Sequence, residues 1–391
     1  MKILVATDSF KGSLSSIEAG EAIKIGILNV MSDAKVQVCP VADGGEGTVD
    51  TLVAGMGGRL EEVKVTGPLE EKIVCSYGIV ENNKHKIGKN KKLSTKTAVI
   101  EMSAAAGITL VAEKDRNPLN TTTYGVGEII KDAIIKGCRH FIIGIGGSAT
   151  NDGGIGMLQA LGYGILDETG KQVPLGAKGL EKIVSISDDQ VIPELKECTF
   201  RIACDVKNPL YGENGCSAIF GPQKGATTEM IKQMDQWLIR YAEITNNKYK
   251  DANANQEGTG AAGGLGFAFL AYTNAVLESG IKIIFEETDL ENKIKEADII
   301  ITGEGKLDEQ TILGKVPIGI AVISKKYHKP VIAIAGAITE GASICNEYGI
   351  DAMFSIQQEI QQLEVAMESS RAKKDIIFTT EQIFRLILLK K

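Results

Sequence analysis

Five short clusters in this sequence combine carboxylates with glycines, lysines and hydroxyls. They are Asp8-Ser9-Phe10-Lys11-Gly12-Ser13, Asp43-Gly44-Gly45-Glu46-Gly47, the run from Gly146 through Gly147, Ser148, Thr150 and Asn151 to Gly154, Asp205-Val206-Lys207-Asn208-Pro209, and Gly303-Glu304-Gly305-Lys306-Leu307-Asp308. Glycine backbones present N–H groups to an anion, helix N-termini favour negative charge, and carboxylates hold a hard cation such as Mg²⁺. Phosphate chemistry is therefore the first reading. An Asp or Ser at a strand-to-helix junction usually serves only as a helix cap, and a lysine there is as often simply solvated. Five such clusters at equivalent places weaken that plainer account. His85, His140 and His328 lie outside the clusters and read as surface or structural residues.

The elements that would carry these clusters alternate strand and helix. Lys2 to Thr7 is a short apolar run, and Ser15-Ser16-Ile17-Glu18 has the spacing of a capping box opening a helix. Val36 to Ala42 reads as a strand ending at the Asp43 cluster, with a helix from Thr48. Near the C-terminus, Ala297 to Thr302 leads into Gly303-Glu304-Gly305, Pro317 to Tyr327 reads as helix, and Val331 to Ala335 and Asp351 to Ser355 read as strands. Thr379-Thr380-Glu381-Gln382 reads as the cap of a final helix. Between these ends, residues 66–92 read as β-hairpins with a basic tip at 84–92. Strands at 97–102, 140–145 and 200–204 then alternate with helices at 127–136 and 155–161. The expected fold class is α/β. An open parallel-sheet domain of Rossmann or flavodoxin-like kind is formed by both termini (1–74 plus 284–391), and a second α/β domain (75–283) is inserted. Ligands of open parallel sheets bind beyond the carboxyl ends of the strands, which places the expected active site in the cleft between the two domains.

Composition narrows the function. The chain has 391 residues, 43% of them hydrophobic, and a net charge of −7, with no lysine-rich face of the kind nucleic-acid binding needs. Its apolar stretches are too short to span a bilayer, so no membrane partner is expected. The Met1 to Ala6 run passes directly into Thr7-Asp8 without a signal-peptide pattern. With seven scattered cysteines and three histidines, neither a disulfide framework nor a Cys/His zinc site is expected, and the expected location is cytoplasmic. Gly258-Thr259-Gly260-Ala261-Ala262-Gly263 fits G-x-G-x-x-G but follows a polar stretch rather than a strand, so it lacks the context of a dinucleotide fingerprint. It reads as a glycine-rich helix start. No P-loop and no protein-kinase motif is present.

The sequence resembles the bacterial class I glycerate kinases over nearly its whole length. Four of the five clusters carry the resemblance: 8–13, 144–154, 205–210 and 302–308. The fifth does so within Val41-Ala42-Asp43-Gly44-Gly45-Glu46-Gly47-Thr48. Three further blocks join them: Asn117-Pro118-Leu119-Asn120-Thr121-Thr122-Thr123-Tyr124-Gly125, Phe220-Gly221-Pro222-Gln223-Lys224-Gly225-Ala226 and Gly260-Ala261-Ala262-Gly263-Gly264-Leu265-Gly266. Only the lysine-rich 84–92 stretch looks individual.

The resemblance implies ATP- and Mg²⁺-dependent phosphorylation of D-glycerate, with 2-phosphoglycerate favoured over 3-phosphoglycerate. Asp43, Asp205 and Asp308 are then the candidates for the catalytic base or, for Asp43 and Asp205, for Mg²⁺ ligation. Lys11 and Lys306 would neutralise the transferring phosphate. Asp8, Ser9, Gly44, Gly45, Gly146, Gly147, Ser148, Thr150, Asn151, Gly303, Glu304 and Gly305 would line the nucleotide or the substrate carboxylate. Arg116 and Arg139 are open between a carboxylate clamp and structural ion pairs. The implied partners are D-glycerate and ATP, and a homo-oligomer is left open. Two rivals share the fold class: an NAD-dependent hydroxy-acid dehydrogenase, which should show a true dinucleotide fingerprint, and a non-catalytic binding protein, which needs fewer carboxylates at strand ends.

Overall fold

The computed structural model describes residues 1–42, 47–82, 95–249 and 252–389. The Asp43-Gly44-Gly45-Glu46 part of the second cluster and the basic 84–92 stretch lie outside them. The chain is α/β, and its described residues divide into two compact units, one of residues 1–42, 50–56 and 281–389, the other of residues 47–49 and 57–280. The expected division at 74/75 therefore lies too late. The strand Arg59–Thr66 pairs with Lys72–Asn82 in the sheet of the second unit, which draws residues 57–74 into it.

The first unit is built on a five-stranded, wholly parallel sheet. From one edge to the other, its strands are Ala352–Ser355, Val331–Ile338, Ile299–Leu307, Lys2–Thr7 and Lys35–Val38. Central strands of such a sheet are buried on both faces and so read as continuous apolar runs, as Ile3, Leu4, Val5, Ile300 and Ile301 do. Ser15 caps the helix Ser16–Val30 as expected: its hydroxyl accepts from Glu18 N, and Glu18 Oε2 accepts from Ser15 N. Gly26 lets this helix pack closely on the C-terminal one, because a Cβ there would meet Ile377 O and Thr380. The C-terminal helix is Ser369–Leu388, so the Thr379-Thr380 pair does not cap it. Thr380 sits in its interior, with its hydroxyl donating to Ile376 O four residues back. The strand before the fifth cluster also runs further than expected. It continues to Leu307, so Gly303, Glu304, Gly305 and Lys306 are strand residues and the loop begins at Asp308.

The second unit carries a mixed six-stranded sheet in the order Ala275–Glu278, Thr199–Ala203, Cys138–Gly144, Thr95–Glu101, Lys72–Asn82, Arg59–Thr66. The first four strands are mutually parallel and the last two pair antiparallel; the hairpin expected over 66–92 begins earlier, at Arg59. Phe141 and Phe200 stack in its core with ring centroids 4.8 Å apart, and Tyr163, Tyr241 and Tyr272 close one side. Among the described residues, no helix is long and apolar enough to cross a membrane.

Candidate active site

In the first unit, chemistry collects where the strands Lys2–Thr7 and Ile299–Leu307 end. Their register places Thr7 opposite Gly303, and Asp8 N donates to Gly303 O. Asp8 follows directly, with its Oδ1 accepting from Ser9 N, and the Lys11 backbone lies against Gly305. Asp8, Glu304 and Asp308 are all less than a tenth exposed. Two lysines join them. Lys306 Nζ lies 3.1 Å from Asp308, and Lys315 Nζ lies 3.7 Å from Glu304 and 3.8 Å from Asp308. Thr311 links the two carboxylates: its hydroxyl donates to Glu304 Oε1 and accepts from Asp308 N.

These neighbours drive the two carboxylates in opposite directions. Burial raises the Glu304 pKa to about 7, with Asp8 and Asp308 adding like charge and Lys315 and Thr311 only partly offsetting it. The hydrogen bond from Lys306 holds Asp308 below its ordinary value. One carboxyl titrates near neutrality and the other stays an anion, a separation that divides proton acceptor from fixed charge. Sequence reasoning placed Glu304 among the ligand-lining residues and Asp308 among the bases. A carboxyl with a pKa near 7 is matched to proton transfer at neutral pH. Gly303 is buried in the sheet, where a Cβ would strike the Ile334 backbone, so its small size serves strand packing.

In the second unit, Gly146, Gly147 and Ser148 follow the strand Cys138–Gly144, and Asp205 follows the neighbouring strand Thr199–Ala203. Gly146 and Gly147 are exposed, as is Asp205, whose Oδ1 accepts from Gly280 N. Thr150 and Asn151, expected to line a ligand, are fully buried. Asn151 donates inward to Ser217. Asp152 pins the turn from inside, accepting from Thr123 N and Oγ1 at 2.9 Å each and from Gly154 N at 3.0 Å. The glycine-rich Ala261–Tyr272 helix is broken near its start, where Ala262, Gly263 and Gly264 have φ of 52°, 66° and 95°. A Cβ on Gly263 would strike Thr150 O, so the glycine allows this turn to seat against the 150–153 backbone, where Gly263 O accepts from Gly153 N.

Asp43, Gly44 and Gly45 lie outside the described residues. Arg139 donates to Glu197 and to the Ile134 and Cys138 carbonyls, the ion-pair arrangement of the two expected for it. Three residues that sequence reasoning passed over are Thr311, Lys315 and Lys224. Lys315 follows a glycine seven positions after Asp308, and Lys224 lay in a quoted block whose lysine drew no role. Among the described residues, no three His, Cys, Asp or Glu side chains converge as a ready-made metal centre. A groove lined by Lys2, Lys35, Lys293 and Glu296 lies at the amino ends of the first unit's strands, the opposite end from these carboxylates.

The sequence profile of the Glycerate kinase family matches residues 3–388. The chain belongs to this family. It is 45% identical to a glycerate kinase of Haemophilus influenzae over the full length of both, and 45% identical to the glycerate 2-kinase of Escherichia coli over 97% of this chain and 98% of that one. A crystal structure from Salmonella typhimurium LT2, provisionally named glycerate kinase 2, superposes with a TM-score of 0.88 at 43% identity. That match covers all of this chain and 99% of the other.

Proposed function

We propose that this protein transfers the γ-phosphoryl group of ATP to D-glycerate, at the 2-hydroxyl. The family match over residues 3–388 carries the reaction type, and the E. coli relative's name supports the position. In the transfer, the glycerate hydroxyl oxygen forms a bond to the γ-phosphorus as the bond to the β,γ-bridging oxygen breaks. ADP leaves, and the hydroxyl proton passes to the enzyme. Glu304 is the acceptor we assign, since its pKa near 7 lets it take a proton and return it to water at neutral pH. Asp308 remains ionised and holds Lys306 and Lys315, whose ammonium groups offset charge on the transferring oxygens.

Mg²⁺ is part of the proposal. It binds through one or two carboxylates plus substrate phosphates rather than an all-protein cage. The exposed Asp205 carboxylate is a hard oxygen donor of the required kind, and Asp43 is the second candidate from sequence. When bound, the ion would supply charge neutralisation at the phosphates. Phosphorus NMR of the product tests the position. A phosphate coupled to a single proton is the expected result, and coupling to a CH₂ pair would reassign the enzyme to the 3-hydroxyl.

A further inference from the structure

The second unit buries a lysine that the transfer chemistry above does not use. Lys224 ends the short turn Pro222–Lys224 and is 2% exposed. Its ammonium donates to Ser148 Oγ at 2.8 Å and to Thr150 O at 2.6 Å. Among the described residues, no carboxylate forms an ion pair with it. Burial pushes the ammonium's pKa down to about 8, and the nearby Cys216 and the fully buried Asp152 offset this only in part. A buried ammonium without a paired counter-charge is unfavourable unless something compensates it. Directly after the strand Cys138–Gly144, and immediately before Ser148, the backbone turns outward at Gly146 and Gly147. Both are exposed, Gly147 has a φ of 70°, and the space where a Gly146 side chain would project is open. The same turn is tied down from the other side, where Ile108 N donates to Gly147 O and Ala149 N to Ala106 O. Ser148 is thus the link between a buried positive charge and an exposed turn of small residues.

We propose that Lys224 is a positioning residue that acts through Ser148 to shape the Gly146-Gly147-Ser148 turn as a seat for an oxyanion of the substrates, a carboxylate or a phosphate. This rests on the glycerate kinase reading, since that reading supplies the two anions. Lys224 does not reach the ligand itself. It fixes the Ser148 hydroxyl and the Thr150 carbonyl, and its charge lies under the turn without being consumed by a carboxylate. Ser148, with its hydroxyl occupied as an acceptor from Lys224, has its own proton directed away from the ammonium and available to a ligand oxygen.

The test measures equilibrium binding by calorimetry on the full-length protein, with D-glycerate, ADP and inorganic phosphate titrated separately. The proteins are the wild type, Lys224→Met, Ser148→Ala and the double variant. Because binding is read without turnover, the result stands whether or not glycerate is phosphorylated. The expected result is a loss of about tenfold or more in affinity for one class of anion in each single variant. The double variant should be no worse than the weaker single one, because the two residues act as a unit. Loss confined to D-glycerate assigns the seat to the carboxylate, and loss for ADP and inorganic phosphate assigns it to phosphate. If Lys224→Met does not fold, Ser148→Ala, which removes one oxygen, carries the test alone. Unchanged affinities for all three ligands in a folded Ser148→Ala protein would overturn the proposal, as would additive losses in the double variant.

Discussion

Replacing Glu304 by Gln should make the protein more stable as the pH rises, while lowering its activity. The carboxyl is about one-tenth exposed, lies 3.7 Å from Lys315, and accepts a hydrogen bond from Thr311 that an amide oxygen can also accept. Its pKa rises from an ordinary value near 4.5 to about 7, chiefly through burial. A carboxyl whose folded pKa is raised binds its proton more tightly folded than unfolded, so stability is full below about pH 4.5 and is lost as pH climbs through 7. A shift of that size corresponds to roughly 3 kcal/mol, with the attraction of Lys315 already inside it. The neutral amide escapes this loss. Urea unfolding of wild type and variant at pH 5 and pH 8 should therefore show the stability difference moving in the variant's favour by about 2–3 kcal/mol between the two conditions. Titrations common to both proteins cancel in that difference. The kcat of the same variant should fall by about 10²-fold or more, the scale of a lost general base. A stability difference that does not change between pH 5 and pH 8 would refute the raised pKa. A difference moving in the wild type's favour would show that Lys315 outweighs burial.

Three further outcomes follow from the same geometry. Asp152→Ala leaves Thr123 N, Thr123 Oγ1 and Gly154 N without their acceptor in a fully buried place, and should destabilise the protein by about 3 kcal/mol or more in urea unfolding. Lys306→Ala removes an exposed side chain 3.1 Å from Asp308. It should change stability by less than about 1 kcal/mol yet lower kcat at least tenfold, a split read from parallel unfolding and kinetic assays. Gly263→Ala places a methyl against Thr150 O at a φ of 66°, and should cost about 1–3 kcal/mol of stability in the same unfolding assay.

The parallel sheet of the first unit was legible because its central strands are buried on both faces and so appear as unbroken apolar runs, and the Ser15–Glu18 cap because its two side chains are short-range partners. The reach of the strand Ile299–Leu307 was not. Glycine, glutamate and lysine resemble a loop in sequence, and what keeps Gly303 to Lys306 extended is pairing with Val331–Ile338, more than 25 residues away. The capping signal at Thr379-Thr380 failed for a related reason. A threonine hydroxyl can bond a carbonyl four residues back within a helix, and the helix began ten residues earlier at Ser369. The clusters could be placed near strand ends from sequence, but the opposite pKa shifts of Glu304 and Asp308 depend on burial and on which lysine lies beside which carboxylate. Lys315 and Thr311 reach them only through the fold of the loop after Asp308. Lys224 was beyond reach for the same reason, since its partner Ser148 is 76 positions away.

ADP release from ATP by the purified protein, measured with and without D-glycerate and with and without Mg²⁺, tests whether this enzyme phosphorylates glycerate. ADP should form in step with phosphoglycerate when both are present, and little should form when either is left out. Equal ADP release without D-glycerate, or faster turnover of another small hydroxy acid or a sugar, would contradict that reading.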